Sequence, residues 1–182
     1  MTPMALYWHF RNKDDLLEGM AASVFEEIAP SSDASGMWQE QLRALLGSVL
    51  DVLRAHPSTA VLVSTRTVAS EGSLRATEVM LDLLRRGGFS PAEATQIARH
   101  ALSGVANLVS GEPGVVVREG AQATPDARRR ARLFLESLPP ERYPRLVEAA
   151  TPLSEGVDPD TYYAFGLDML IAGIEAMAAR RR

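Results

Sequence analysis

The sequence predicts an all-α protein, and three observations support this fold class. Apolar residues recur at helical spacing, most clearly at positions 38, 42, 45, 46, 49, 50 and 53. Helix start and stop signals separate such stretches. The fullest is Ser90-Pro91-Ala92-Glu93, which combines an N-cap serine, a proline at the first helical position and a capping-box glutamate. No stretch shows a clear strand pattern with a partner strand, so we expect helices throughout.

Helices are predicted in order along the first part of the chain. A short helix follows Pro3, at Met4–Trp8. Asn12 is the predicted N-cap of the next helix, which runs to about residue 28. Residues 30–36 have the composition of a turn and mark the best candidate for a junction. A strongly amphipathic helix then covers 37–55.

The second part of the chain continues the pattern. Residues 58–69 are rich in β-branched side chains, so periodicity alone allows a strand, but the lack of a partner strand favours a helix. The further predicted helices cover 73–86, which Gly87-Gly88 ends, then 91–110, 125–138, 141–150 and 159–182. A long loop is predicted at 111–124.

Composition limits the classes of protein to which the chain can belong. The 182 residues are 46% hydrophobic with a formal net charge of −4, enough for one sizeable core. The absence of cysteine excludes disulfides and thiolate metal sites, and it fits a cytoplasmic protein. No apolar run approaches the ~20 residues of a membrane helix, so we expect no membrane association. Residues 1–13 contain His9, Arg11 and Lys13 but no acid, which fits a small basic DNA-reading segment on an acidic protein; a chance distribution of charge over thirteen residues is the alternative.

The segment from Ala5 to Leu17 (Ala-Leu-Tyr-Trp-His-Phe-Arg-Asn-Lys-Asp-Asp-Leu-Leu) resembles one junction in TetR-family transcriptional regulators. There, a Leu-Tyr-x-His/Tyr-Phe/Val-x-x-Lys-x-x-Leu-Leu pattern joins the DNA-recognition helix to the helix after it. The tryptophan directly after the tyrosine, here Trp8 after Tyr7, resembles the pattern of the tetracycline-repressor branch. Fainter similarity extends to the C-terminus, through Trp38–His56, Ser64-Thr65-Arg66, Gly88-Phe89-Ser90, Ala101-Leu102-Ser103 and Phe165-Gly166-Leu167.

This resemblance implies a TetR-like architecture in two parts. Residues 1–28 would be a partial helix-turn-helix head, formed by the recognition helix and the connecting helix. Residues 29–182 would be the ligand-binding and dimerisation domain. The resemblance also implies a homodimer that binds operator DNA as a repressor and is released by a small hydrophobic effector.

The DNA-binding residues are expected in the head. Recognition helices place their N-terminal side chains on base edges, while basic and aromatic groups nearby hold phosphates. By position in the family pattern, Met4 and Ala5 face the bases, and the groups at the groove wall and backbone are Tyr7, Trp8, His9 and Lys13. Packing inside the head is the alternative for the aromatic side chains.

The head is incomplete in this sequence, because a complete one has two helices before the recognition helix. We therefore expect weak or no operator binding by the 182 residues alone. The alternative function is a truncated, DNA-incompetent module that binds ligand or pairs with another chain.

A ligand pocket is predicted around the helix 91–110. His100, Gly104 and Asn107 share one stripe of this otherwise apolar helix, and a few polar groups in an apolar wall suit a small-molecule pocket. A solvent-facing or dimer-facing stripe is the alternative. Further wall candidates, for which plain core packing is the alternative, are Trp38, Val61, Thr65, Met80, Leu84 and Met169.

Magnesium and tetracycline are not expected as ligands. Tetracycline repressors hold their drug as a magnesium chelate through a pocket histidine. The position that aligns with it here is Asn107, and a second drug-contacting histidine falls near Ala29. We therefore predict no metal and no cofactor.

A homodimer is predicted through residues 92–110 and 159–178. The last helix is apolar on nearly every side, which indicates burial on all sides. Gly166 and Gly173, two turns apart, would allow a close approach by another helix. In the TetR family these two helices form a four-helix bundle across a two-fold axis. Burial of the last helix inside one subunit is the alternative.

Catalysis is not predicted. The three histidines, His9, His56 and His100, are far apart in the chain, and the sequence has no cysteine nucleophile. It contains no Gly-rich phosphate loop, no His-Glu-x-x-His motif and no Gly-x-Ser-x-Gly motif.

Overall fold

The computed structural model describes residues 12–28, 36–60, 62, 70–111 and 124–181, and within these ranges it contains helices and turns but no strand. The all-α prediction is confirmed. The helices are α1 (Lys13–Glu27), α2 (Trp38–Ala55), α3 (Glu71–Arg86), α4 (Pro91–Ser110), α5 (Pro125–Glu136), α6 (Pro144–Glu148), α7 (Ala150–Ser154) and α8 (Pro159–Ala179), with a 3-10 turn at Pro57–Thr59.

Several predicted segments lie outside the described residues. These are the helix Met4–Trp8, nearly all of the turn 30–36, most of the helix 58–69 and nearly all of the loop 111–124. They stay predictions.

Helix starts follow the side-chain caps that the sequence provides. The Asp15 backbone N–H donates to Asn12 Oδ1 over 2.8 Å at the start of α1, as predicted. At the start of α4 the capping box is complete, because Ser90 N donates to Glu93 Oε2 (2.9 Å) and Glu93 N donates to Ser90 Oγ (3.4 Å). Helix α3 begins at Glu71 rather than at the predicted Ser73, because Ser70 accepts the Ser73 N–H (3.2 Å) and is the true cap.

Glycine ends α3 as predicted. Gly88 has a φ of +88°, a conformation that side chains disfavour. Its N–H donates to the Arg85 carbonyl (3.0 Å), and the Phe89 N–H donates to the Leu84 carbonyl (3.2 Å), which together form a Schellman motif. Phe89 is fully buried and packs edge-on against Trp38. The turn therefore fixes the spacing between α3 and α4.

The chain divides into two compact units. The first comprises residues 1–110 and 165–182, and the second residues 111–164. The sequence-based division at residue 28 is a different one and stays a prediction. In the first unit α2, α3 and α4 pack on one another, and α1 packs on α2 and α3. The side chains with almost no exposure there are Leu42, Leu46, Val49, Leu53, Leu84, Phe89, Val105 and Val109.

The second unit is built from α5, α6 and α7. Helix α5 packs on α6 and α7, and Ala150 is buried. The predicted helix 125–138 ends earlier, at Glu136, with Pro139-Pro140 close behind. The predicted helix 141–150 is instead the pair α6 and α7.

Helix α8 differs from its prediction in one respect. Leu167, Ile171 and Ile174 on one side are buried, but Phe165 and Met169 on the other side are 66% and 62% exposed. The described part of the chain therefore does not bury α8 on all sides. By length and composition, α8 is apolar enough to cross a membrane, contrary to the expectation that no run approaches this length. Core helices of soluble proteins share this length and composition.

Candidate ligand cavity and apolar groove

A cavity of about 240 Å³ lies inside the first unit. Four helices line this partly open cavity: α1 provides one residue, α2 one, and α3 and α4 four each. Its lining consists of Phe25, Val49, Ala76, Thr77, Met80, Leu81, Thr95, Ala98, Arg99 and Leu102. Because Phe25 belongs to the helix predicted to lead to the DNA-binding head, an occupant of the cavity would touch that helix directly.

Few polar groups face the cavity. Thr95 Oγ1 donates to the Pro91 carbonyl (2.9 Å), so its proton is already used. Arg99 is exposed while lining the cavity, which places it at the mouth between the apolar interior and water. Within the part of the chain that the structure describes, Arg99 makes no hydrogen bond and no ion pair. The cavity therefore has an apolar interior and, at its entrance, a positive charge that no described residue pairs with.

The end of α1 is held against the start of α3. Glu26 Oε1 accepts the Gly72 backbone N–H over 2.8 Å, and Glu26 Oε2 lies 3.2 Å from Arg75. A carboxylate is favoured at a helix N-terminus, where unpaired N–H groups and the helix dipole attract negative charge. Beside it, Glu27 Oε2 lies 3.3 Å from His56 Nε2. These contacts hold the end of α1 in place at Glu26, the residue directly after Phe25 of the cavity lining.

A second concave feature, a groove of about 640 Å³, lies between α4 and α8. Its floor is apolar, with polar side chains at the rim. The lining consists of Ala92, Glu93, Gln96, Ile97, His100, Ala101, Met169, Leu170, Gly173, Ile174, Met177 and Arg180. One row of residues runs along α8 at intervals of four: Phe165, Met169, Gly173 and Met177. The side chains in this row other than that of Gly173 are at least 44% exposed.

Glycines let α4 and α8 approach closely within the chain. A Cβ at Gly104 would lie 2.9 Å from Leu170 Cδ2, and a Cβ at Gly166 would collide with Leu108. Gly173 is different, because a Cβ there meets no atom within 4 Å among the described residues. Gly166 therefore serves packing inside the chain, whereas Gly173 opens onto the groove.

The predicted ligand-binding residues that the structure describes do not share one site. Met80 lines the cavity, whereas His100 and Met169 line the groove. Gly104 contacts Leu170, and Asn107 is exposed. Among the other candidates, Leu84 is fully buried in the core, Trp38 packs on Phe89, and Val61 and Thr65 lie outside the described residues.

The reason is the orientation of α4. Its predicted stripe, His100, Gly104 and Asn107, lies on a different face from the one that lines the cavity. The cavity face is formed by Thr95, Ala98, Arg99 and Leu102, at the same helical spacing. The sequence analysis did not identify this second stripe, because two of its four residues, Thr95 and Arg99, are polar and do not mark an apolar face.

The predicted DNA-binding residues cannot be placed. Met4, Ala5, Tyr7, Trp8 and His9 lie outside the described residues. The remaining one, Lys13, is the first residue of α1, and its side chain is not described. Among the described residues, no cluster of three or more metal-ligating side chains occurs.

The described residues form a helical domain with a partly open apolar cavity and with one apolar helix face exposed. Residues 29–178 match the family described as "Tetracyclin repressor-like, C-terminal domain". The chain belongs to the TetR family of transcriptional regulators.

Individual relatives agree with this assignment. An HTH-type transcriptional regulator from Saccharopolyspora erythraea is 29% identical over 176 residues, which cover 96% of this chain and 71% of the relative. The tetracycline repressor protein class C from Escherichia coli is 29% identical over 178 residues, 95% of this chain and 75% of that protein. The crystal structure of the TetR family protein ActR from Streptomyces coelicolor, in complex with actinorhodin, superposes with a TM-score of 0.78 at 26% identity, over 98% of this chain and 83% of ActR.

Proposed function

We propose that this chain acts as a homodimeric transcriptional repressor that binds operator DNA and releases it when a small apolar molecule binds. The exposed apolar row on α8 is the observation that carries the proposal. In the most apolar 18-residue window of α8, only 28% is buried within the chain. Large exposed apolar patches mark interaction sites, and a second copy of the same groove would cover the row across a two-fold axis.

The interface proposed is the surface of α4 and α8, within residues 92–110 and 159–178. Its chemistry suits an obligate interface, since such interfaces are apolar at the centre and polar at the rim. Gly173 lies in the middle of the row and has room for a facing helix. His100 and Met169 then belong to the dimer surface in this proposal, rather than to the ligand pocket.

The cavity beside α1 is the proposed effector site. Relatives support ligand binding as a property of the family, since ActR forms a complex with actinorhodin and another relative is a tetracycline repressor. A ligand shifts a conformational equilibrium only through different contacts in the two states. Phe25 provides such a contact, because it lies on α1 while the rest of the lining lies on α2, α3 and α4.

The coupling to DNA would run through α1. When the cavity is occupied, α1 shifts against the Glu26–Gly72 contact, and the head attached to α1 moves out of register with the operator. Because the two binding equilibria are linked, operator DNA weakens effector binding by the same factor as the effector weakens operator binding. The proposed location is the cytoplasm, where the operator is.

The mass of the protein in solution tests the dimer. We expect light scattering to give twice the 19.7 kDa of the chain at micromolar concentration. The apolar row of α8 predicts that this mass persists at high salt, because hydrophobic burial is not screened by ions. A mass of 19.7 kDa over the whole concentration range would contradict the proposed function.

A further inference from the structure

The cavity is small and its interior is apolar. Seven of its ten lining residues are apolar, and its volume is about 240 Å³. An engineered apolar cavity of about 150 Å³ binds benzene, and pockets for drug-sized molecules begin at roughly 300 Å³. The volume therefore suits a compact molecule of one or two rings, or a short acyl chain.

Arg99 has no acidic partner among its helical neighbours. The side chains three and four residues away on α4 are Thr95, Gln96, Leu102 and Ser103, none of which is acidic. Several other arginines in the described part are paired, such as Arg75 with Glu26 and Glu71, whereas Arg128 and Arg129 of the second unit, like Arg99, make no ion pair with a described residue. Arg99 differs from these arginines in lining an apolar cavity, and a guanidinium there without a carboxylate partner among the described residues can bind an anion from outside the chain.

We propose that this cavity selects a compact apolar carboxylate, with its hydrocarbon part between α1 and α3 and its carboxylate on the Arg99 guanidinium. This inference rests on the proposed function, for which it names the class of effector. Arginine and carboxylate form two parallel hydrogen bonds, which fixes the orientation of the ligand as well as strengthening binding. With the carboxylate at the mouth, the hydrocarbon end lies against Met80 and Phe25, the one cavity residue from α1.

Titration calorimetry on the full chain tests this selection. The probes are benzoate, 2-naphthoate and octanoate, each compared with its neutral amide of nearly equal shape. We expect at least one acid to bind about tenfold or more tightly than its amide, because hydrogen bonds to charged groups are worth more than neutral ones. In R99Q this preference should disappear, and in R99K it should be partly kept, because lysine keeps the charge but not the paired donors.

A cavity-filling variant identifies the binding place. A98M puts a longer side chain on the cavity face of α4 while leaving Arg99 intact, and we expect it to weaken acid and amide alike. Binding of an acid that is unaffected by A98M would place the ligand elsewhere and overturn the proposal. The failure of all three acids to bind would also overturn it.

The proposed function can fail independently of this inference. A protein that is dimeric by light scattering but binds each amide as tightly as its acid would agree with the proposed function and contradict the selection of a carboxylate. A monomer that prefers the acid, and loses this preference in R99Q, would support the carboxylate site and contradict the dimeric repressor.

Discussion

Replacement of Gly72 by alanine is expected to destabilise the fold by about 1–3 kcal/mol, the usual cost of overpacking. A Cβ at this position would lie 2.7 Å from the Phe25 carbonyl oxygen and 2.8 Å from Glu26 Oε1. The first of these atoms is backbone, so the clash is relieved only if α1 moves away from α3. That movement also breaks the hydrogen bond from the Gly72 N–H to Glu26. Urea unfolding followed by circular dichroism measures the change.

Gly47 provides a matched control for this substitution. It also lies inside a helix, but a Cβ there would approach only Leu167 Cδ2, at an ordinary 3.9 Å. G47A should therefore stabilise the protein by roughly 0.5–1 kcal/mol, the usual gain from alanine over glycine in a helix. If G72A also raised stability, the close approach between α1 and α3 would be wrong.

Replacement of Met169 by glutamate is expected to dissociate the proposed dimer. Met169 is 62% exposed in the single chain, so the substitution should leave the fold intact. In the dimer it would bury two carboxylates in an apolar interface, where unpaired charges are costly. We expect the dissociation constant to rise about 100-fold or more, or ~2.8 kcal/mol. Sedimentation or light scattering over a dilution series measures it.

Leu74 is the control for Met169, because it is a large apolar residue with 61% exposure on α3, outside the groove. L74E should leave the mass unchanged. An equal loss of dimer in both variants would indicate a general effect of added charge rather than an interface at α8.

Helix ends could be predicted from the sequence because their causes are local. Ser90 and Glu93 hydrogen-bond within a single turn, and Gly88 has a positive φ that glycine adopts most easily. Ser70 was missed as the cap of α3 because the apolar spacing of that helix begins later, around Leu74. A cap is recognised most easily when the apolar pattern starts close behind it.

The positions of the sites could not be predicted in the same way. Helix α4 has apolar residues on two faces, one toward the cavity and one toward α8. Spacing shows which residues share a face, such as His100 with Gly104, but not which neighbour that face meets. That depends on tertiary packing, here on the contacts of Gly104 with Leu170 and of Gly166 with Leu108.

Helix α8 shows a related limit. Its composition predicted burial on all sides, and the single chain buries only the side that includes Leu167 and Ile171. Hydrophobicity shows that a face needs a cover, but not whether that cover comes from the same chain. In our proposal a second copy provides it.

A distance between two copies of α8 tests the central claim most directly. The chain has no cysteine, so M169C and L74C each take a single nitroxide label. Double electron–electron resonance should give one well-defined distance between the two labels at position 169. This distance should be shorter than that between the labels at position 74, because Met169 faces the two-fold axis in the proposed dimer. The absence of dipolar coupling at position 169, or a shorter distance at position 74, would contradict an interface formed by α4 and α8.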